Sequence, residues 1–399
     1  MKPFAIDHPA FVLSLFDTGL AVVRSLGSMG IPVTGFDFDG SMPGFKSRFC
    51  RPMLCPHPLH QPEQLLEFLT AAGKKLRHPG ILFIASDAFL LFVSRHRGEL
   101  SPFFRFILPA EDIVESIADK RRQHELAEKN GIPCPRAFFP EDIPDIAQFM
   151  DKIDYPAIIK PCYSYQWQDK YPRIKGMKVN GPGEMADKIR ELLPAGIRIM
   201  VQSIICGANT NHYKVCVYIN ARGKTLALFA LQKIRQYPVE FGVGTCVESI
   251  KSDELLKLGM RFLDGIKYRG VGSIEFKKDE HDGRFKLIEL NPRYWQQNSH
   301  ARACGTDFPL IQYLDLTGQE PVPQLRYRTG VKWLDPMSDF QSFLDHRRNG
   351  QLSFGKWLSS LRGTRAFSAW SLSDPGPMLK SIEYGWKIVK APMYMLKTN

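Results

Sequence analysis

Three observations predict an α/β (α+β) protein with a parallel sheet at its N-terminal end. Apolar segments of strand length alternate with helix-length segments through the first hundred residues, a pattern that lays helices on the faces of a parallel sheet. Further on, "GSIEF" and "FKLIEL" are joined across "HDG", the signature of an antiparallel hairpin. The chain has 399 residues, 44% hydrophobic and 24% charged, enough for two or three packed domains of ordinary globular composition.

The elements follow in order. "FVLSLF" is a first strand, "DTG" a turn, and "LAVVRSLGSMG" a helix that ends on glycine. "IPVTGFDFD" returns as a strand, followed by helix "EQLLEFLTAAGKKL", strand "GILFIAS" and helix "AFLLFVSRHRGEL". This Rossmann-like unit is assigned to residues 1–115. "DKRRQHELAEKNGIPCPR" is a helix with an acid near its start and Gly131 past its end. "YPAIIKP" is a short buried strand, and the aromatic loop "CYSYQWQDKYPRIKG" leads to strand "MKV" and helix "GEMADKIRELL". These elements make a small unit, residues 116–200. "IRIMVQSII", "HYKVCVYIN" and "TLALFALQKIRQYP" are strands and "SDELLKLGMRFLDGI" a helix, so that residues 201–322 form a larger unit ending beyond the hairpin. Residues 323–399 form a basic, aromatic, mainly helical extension.

Bulk properties narrow the function. No apolar run reaches the roughly 18 residues of a membrane span. The N-terminal stretch lacks a signal-peptide cleavage pattern, and eight cysteines without paired spacing suit a reducing compartment, so a cytoplasmic protein is expected. The net charge is +12, and residues 323–399 hold 12 Lys/Arg against 5 Asp/Glu. Such a bias fits nucleic acid, anionic lipid or an acidic substrate, and equally a surface that is only solvated.

Several motifs fail on spacing. "ARGKTL" contains Gly-Lys-Thr, but the phosphate loop needs a glycine five residues earlier, where Tyr218 stands; it reads as a hairpin turn. "DTGLAVVRSLG" lacks the dinucleotide fingerprint. "CRPMLCPHPLH" gathers Cys50, Cys55, His57 and His60 at spacings unlike the zinc patterns, and reads as an irregular surface segment.

The hairpin carries the chemistry. Side chains alternate faces along a strand, so Ile288 and Leu290 share one face while Glu289, Asn291 and Arg293 share the other. In "GSIEF", Ile274 and Phe276 oppose Ser273, Glu275 and Lys277 in the same way. A three-residue "HDG" loop closed by a left-handed glycine sets Glu275 directly across from Glu289. Two carboxylates in that position destabilise a sheet by up to about 1 kcal/mol. A divalent cation between them reverses the sign, and Asn291 adds a neutral oxygen; such hard ligands suit Mg²⁺ or Mn²⁺ shared with a phosphate substrate. A salt-bridged surface hairpin using Lys277 and Arg293 is the alternative from these residues alone.

"GSIEFKKDEHDGRFKLIELNPRYW" followed by "ARACGTDFP" resembles the metal-binding end of the ATP-grasp superfamily of carboxylate–amine ligases. The likeness runs backwards in order over residues 10–320. "ADKRRQHELAEKNGIPCP" resembles the opening helix, whose lysine, here Lys120, reaches the nucleotide. "YPAIIKP" resembles the strand whose lysine, Lys160, meets the adenine edge and α-phosphate. "IMVQSIICG" resembles the hinge, where Gln202, Ser203 and Ile204 would frame adenine. Acidic residues are frequent there in the family, which leaves Asn209 and Asn211 as ribose candidates. "LQKIRQYP" supplies Lys233 and Arg235 near phosphates or the acyl group. The aromatic loop departs from the family's glycine-rich phosphate cover, with Lys175 and Gly176 as its phosphate-facing residues.

The resemblance implies an ATP-grasp fold, ATP and Mg²⁺ (or Mn²⁺) as cofactors, and an acyl phosphate displaced by an amine. Glu275, Glu289 and Asn291 would hold the metal and Arg293 would stabilise developing negative charge. The acid and amine are expected to be an amino acid or peptide, a cell-envelope precursor among the options. Two rival readings stand beside it. One is a nucleotide-binding regulator without ligase activity. The other is a protein using Trp333, Trp357, Trp370 and Trp386, with the arginines and lysines between them, against an anionic membrane or nucleic acid, the latter disfavoured. The oligomeric state is open, a homodimer included.

Overall fold

The computed structural model describes residues 5–143, 147–163, 171 and 175–382. The opening strand–helix alternation produces β1 (Ala10–Leu13), α1 (Asp17–Gly27), β2 (Val33–Asp37), β3 (Arg51–Leu54), α2 (Pro62–Gly73), β4 (Gly80–Ile84), α3 (Asp87–Arg95), α4 (Arg97–Leu100) and β5 (Phe104–Arg105). The strands form a parallel sheet in the order β3-β2-β1-β4-β5. The β1 and β4 side chains are buried on both faces, as central parallel strands covered by helices must be. β3 corrects the expectation of an irregular segment at 50–60. Pro52 is tolerated there because β3 is an edge strand.

Next come α5 (Glu111–Ala118), α6 (Lys120–Lys129), β6 (Ala137–Phe138), α7 (Ala147–Met150), β7 (Ala157–Pro161), β8 (Met177–Val179), α8 (Pro182–Leu192) and β9 (Ile199–Ser203). The Asp119 side chain caps α6 by accepting from the Arg121 N–H at 2.9 Å. Strands β6-β9-β7-β8 make an antiparallel sheet over its own apolar cluster, which includes Ile159, Val201 and Met185.

The third sheet is built from β10 (His212–Ile219), β11 (Thr225–Tyr237), β12 (Val243–Ser249), β13 (Gly270–Lys278) and β14 (Phe285–Asn291), with α9 (Asp253–Gly265) between β12 and β13. "ARGKTL" lies in the turn between β10 and β11, as its failed spacing implied. The chain then runs through α10 (Asn298–Ala303), α11 (Phe308–Leu316), β15 (Lys332–Leu334), α12 (Pro336–Arg348), α13 (Phe354–Ser360) and β16 (Thr364–Phe367). Strand order is β14-β13-β10-β11-β12-β15-β16, so the extension contributes two strands to the sheet besides its helices. Trp333 is fully buried in the sheet and the half-buried Trp357 stacks on Phe343 of the extension at 4.8 Å, so both serve packing. Trp370 is partly exposed, and Trp386 lies outside the described residues.

One detail of the hairpin differs from expectation. Its turn pairs Asp279 with Arg284, one residue short of the expected register, and Gly283 adopts the left-handed conformation (φ 70°). Lys278 therefore faces Phe285, and Phe276 faces Leu287. A β-bulge then takes up Ile288, so Glu275 still faces Glu289 and Ser273 faces Asn291. The bulge also switches faces: Leu287 and Leu290 are both buried in the core, while Ile288 is only half-buried.

Candidate active site

The three sheets meet around the paired carboxylates. Glu275 lies beneath Lys214, its cross-strand neighbour on β10, with 3.0 Å between Nζ and Oε1. Lys233 on β11 approaches the other oxygen at 3.8 Å. Burial by itself raises the Glu275 carboxyl, but Lys214, Lys233 and Lys175 more than offset it and hold the group well below the usual range. Glu289 accepts from Asn291 Nδ2 at 3.1 Å. Two facing carboxylates with an amide oxygen beside them are hard donors that fit Mg²⁺ or Mn²⁺, leaving positions for water and phosphate oxygens.

Lys120 enters from the first residue of α6, its N–H donating to the Cys162 carbonyl at 3.0 Å. Lys160 projects from β7 and donates to Gln202 Oε1 on β9 at 2.9 Å. Burial and then the charge of Lys120 depress Lys160 from 10.5 to about 8. Burial likewise brings Lys233 down to about 8, with Glu275 opposing the fall. Lys175 acts electrostatically on Asp87, Lys120, Lys160, Lys233 and Glu275. Gly176 lies so close to β7 that a Cβ would stand 2.8 Å from the Ile159 carbonyl oxygen, so packing against the strand demands glycine there. The loop residues 164–170 and 172–174 lie outside the described residues.

Arg293 is held by Asp87, the first residue of α3, through two bonds of 2.6 and 2.9 Å, and also reaches Asn291 Oδ1 at 3.4 Å. Gln123 on α6 donates to the Leu290 carbonyl at 3.2 Å and accepts the Leu290 N–H at 3.0 Å. That pair of bonds locks the Glu289–Asn291 stretch to the helix bearing Lys120. A cleft of about 420 Å³ runs past Lys120, Asp87, Glu289 and Asn291 toward the carboxyl ends of β1 and β2. A larger, more open depression of about 770 Å³ near Arg97, Arg105 and Arg222 touches none of these residues.

Not every expected residue joins the cluster. Arg235 forms a buried bidentate pair with Asp339 of α12, both bonds 2.9 Å, and so anchors the extension instead of facing the carboxylates. A bulge in β11 between Lys233 and Arg235 breaks the alternation that would have kept the two on one face. The Ser203 N–H donates to the Arg136 carbonyl at 2.9 Å and the Ile204 N–H to the Pro156 carbonyl at 3.4 Å, so sheet and loop contacts use both groups. Asn209 donates to the Val239 carbonyl and accepts from Gln236; Asn211 donates to Glu280. Sequence reasoning missed Lys214, Asp87 and Gln123. Lys214 was findable by pairing "HYKVC" with "GSIEF"; Asp87 and Gln123 act across elements and had no local signal.

No protein-family model matches the chain. It is 21% identical over 260 residues to D-aspartate ligase of Enterococcus faecium, 62% of this chain and 61% of that protein. It is 26% identical over 205 residues to D-alanine–D-alanine ligase B of Pseudomonas putida, 48% of this chain and 60% of that one. The chain thus matches about three-fifths of the length of these curated relatives. The ADP complex of N5-carboxyaminoimidazole ribonucleotide synthetase shares the fold with a TM-score of 0.66 at 12% identity, over 88% of this chain and 87% of the other. The chain thus has the ATP-grasp fold, and in sequence it is similar to ligases that include D-aspartate ligase and D-alanine–D-alanine ligase.

Proposed function

We propose that the protein is an ATP-dependent carboxylate–amine ligase. One observation carries the reading: among the described residues, Lys120, Lys160, Lys175, Lys214, Lys233 and Arg293 converge on three carboxylates, Asp87, Glu275 and Glu289. Burial, with repulsion from neighbouring cations added, brings two of these lysines to a pKa near 8, and a bound polyphosphate would supply the negative charge that favours their protonated forms. In the reaction a substrate carboxylate oxygen attacks the γ-phosphorus of ATP. The bond from phosphorus to the bridging oxygen breaks and ADP departs. The amine nitrogen then attacks the acyl carbon, the carbon–oxygen bond to phosphate breaks, and the nitrogen gives up a proton.

Phosphoryl transfer asks mainly for positioning and charge neutralisation. Lys120 and Lys160 neutralise phosphate oxygens, and Arg293, oriented by Asp87, faces the charge that develops on the transferring group. Glu275, Glu289 and Asn291 would hold Mg²⁺, which supplies further neutralisation of the phosphates when bound. Gln202, Ser203, Ile204 and Asn209 remain the proposed nucleotide contacts. The test is ADP release with paired acids and amines: release that depends on both substrates and stops with EDTA supports the proposal, and release indifferent to EDTA counts against it.

A second, separable proposal concerns the extension. Phe354 and Leu358 on α13 are 53% and 54% exposed, beside Lys356, Arg362 and Arg365. We propose that this face meets an anionic surface. Co-sedimentation with phosphatidylserine vesicles should fall in a Phe354→Asp/Leu358→Asp variant; unchanged partitioning would remove the proposal. No helix among the described residues is long and apolar enough to cross a membrane.

A further inference from the structure

The cleft that holds Glu289 and Asn291 changes character along its length. At one end stand Lys120, Asp87, Glu289 and Asn291; at the other the walls are Phe16, Phe38, Met42, Leu59 and Leu91. Phe38 is 42% exposed, unusually so for a large apolar ring, and is held in place by His57 at 4.2 Å between ring centroids. Burial and the neighbouring His60 lower the His57 pKa and so disfavour its charged form. Lys120 is the one cation among the described residues that line the cleft, and it lies at the phosphate end. The polar groups at the far end are Ser14 and Asp37, and the Asp37 oxygens accept from the Leu15 N–H at 2.7 Å and the Asp39 N–H at 3.1 Å. A second carboxylate on a substrate would meet apolar rings and an acid there, with no cation among the described lining residues at that end to neutralise it.

We infer that the acid activated in this cleft carries an apolar side chain and no second carboxylate, lodged against Phe38, Met42 and Leu59. This rests on the ligase reading, which supplies the orientation: the reacting carboxylate at the Glu289–Arg293 end, the side chain toward β1 and β2. It separates the chain's specificity from that of its relative named D-aspartate ligase, which matches it at 21% identity. Apolar pockets discriminate by roughly 10–200-fold per methylene, so the preference should be plain in a competition between acids.

The test traps the activated acid with hydroxylamine in place of the amine and follows hydroxamate with ATP and Mg²⁺. The panel is phenylalanine, leucine, aspartate and glutamate, each in both enantiomers. Expected is a kcat/KM at least about tenfold higher for an apolar acid than for either dicarboxylate. Phe38→Ala should raise KM for that acid without changing KM for ATP. Phe38→Arg should shift the preference toward aspartate by supplying the missing charge. Wild-type preference for aspartate or glutamate overturns the inference while leaving the ligase reading intact. If no acid yields hydroxamate, the ligase reading fails, and saturation-transfer NMR with the same panel decides the inference by itself. Binding of the apolar acids, weakened in Phe38→Ala, sustains it; equal or no binding overturns it.

Discussion

Glu289 keeps a carboxylate near its twin because a partner is expected between them. Glu275 is compensated by Lys214 and Lys233, whereas Glu289 has Asn291 as its hydrogen-bonding neighbour. Glu289→Gln should therefore lower kcat for ADP release by about 10²–10³-fold. Its melting temperature should stay at the wild-type value, as differential scanning calorimetry will show. The lysines make a pH prediction. Lys160 and Lys233, depressed to about 8, lose their protons in the free enzyme as pH rises through that value, and with them the attraction for ATP. Bound phosphate favours the protonated forms and raises both pKa values again. The kcat/KM for ATP should thus fall above pH 8, while kcat holds to higher pH. A flat kcat/KM profile across that range would contradict the assignment. For stability the sign is opposite: between about 8 and 10.5 the unfolded chain binds more protons at these sites than the folded one, so they add stability as pH rises.

The working element is the β13–β14 hairpin, and its bulge determines what faces the cleft. With the turn closing at Asp279 and Arg284, an unbroken ladder would set Glu275 opposite Ile288 and send Glu289 to the buried side. Taking up Ile288 restores the carboxylate pair and lets Leu287 and Leu290 both enter the core. Deleting Ile288 leaves an unbroken ladder in which Glu275 still faces Glu289 and Leu287 and Leu290 still point inward, so Mg²⁺-dependent ADP release and the urea midpoint should both be largely retained. A folded deletion variant that loses turnover would contradict this register. Gln123 holds β14 to α6 through both polar groups of Leu290. Its truncation to alanine is expected to raise KM for ATP by loosening Glu289 relative to Lys120.

Across the whole molecule, the extension is part of the body rather than a tail upon it. Asp339, with a side chain 0% exposed, accepts from Arg235 twice and from Thr245 and Trp357. Asp374 ties the same region to the N-terminal sheet through Arg24 at 2.9 Å and Ser47 at 2.8 Å. Asp339→Ala leaves the buried Arg235 guanidinium uncompensated and should cost about 3–5 kcal/mol in urea unfolding. A loss below about 1 kcal/mol would mean that Arg235 finds another anion. Removal of residues 323–399 strips β15 and β16 from the sheet, so point variants on α13 are the cleaner probe of any surface role.

The residue sequence by itself determined the parallel N-terminal sheet and the antiparallel hairpin that carries Glu275 and Glu289, though the bulge that keeps the two facing each other was not legible in it. Each rests on periodicity or turn chemistry within a few residues, where the information is local. Only the tertiary structure decided that Arg235 serves the extension, that Asp87 orients Arg293 and that Lys214 covers Glu275. It also decided that Trp333 is core and that Trp357 packs against Phe343 within the extension. Those outcomes depend on bulges that shift alternation by one residue and on contacts between elements far apart in the chain. No pattern along a single strand records which partner will cover it.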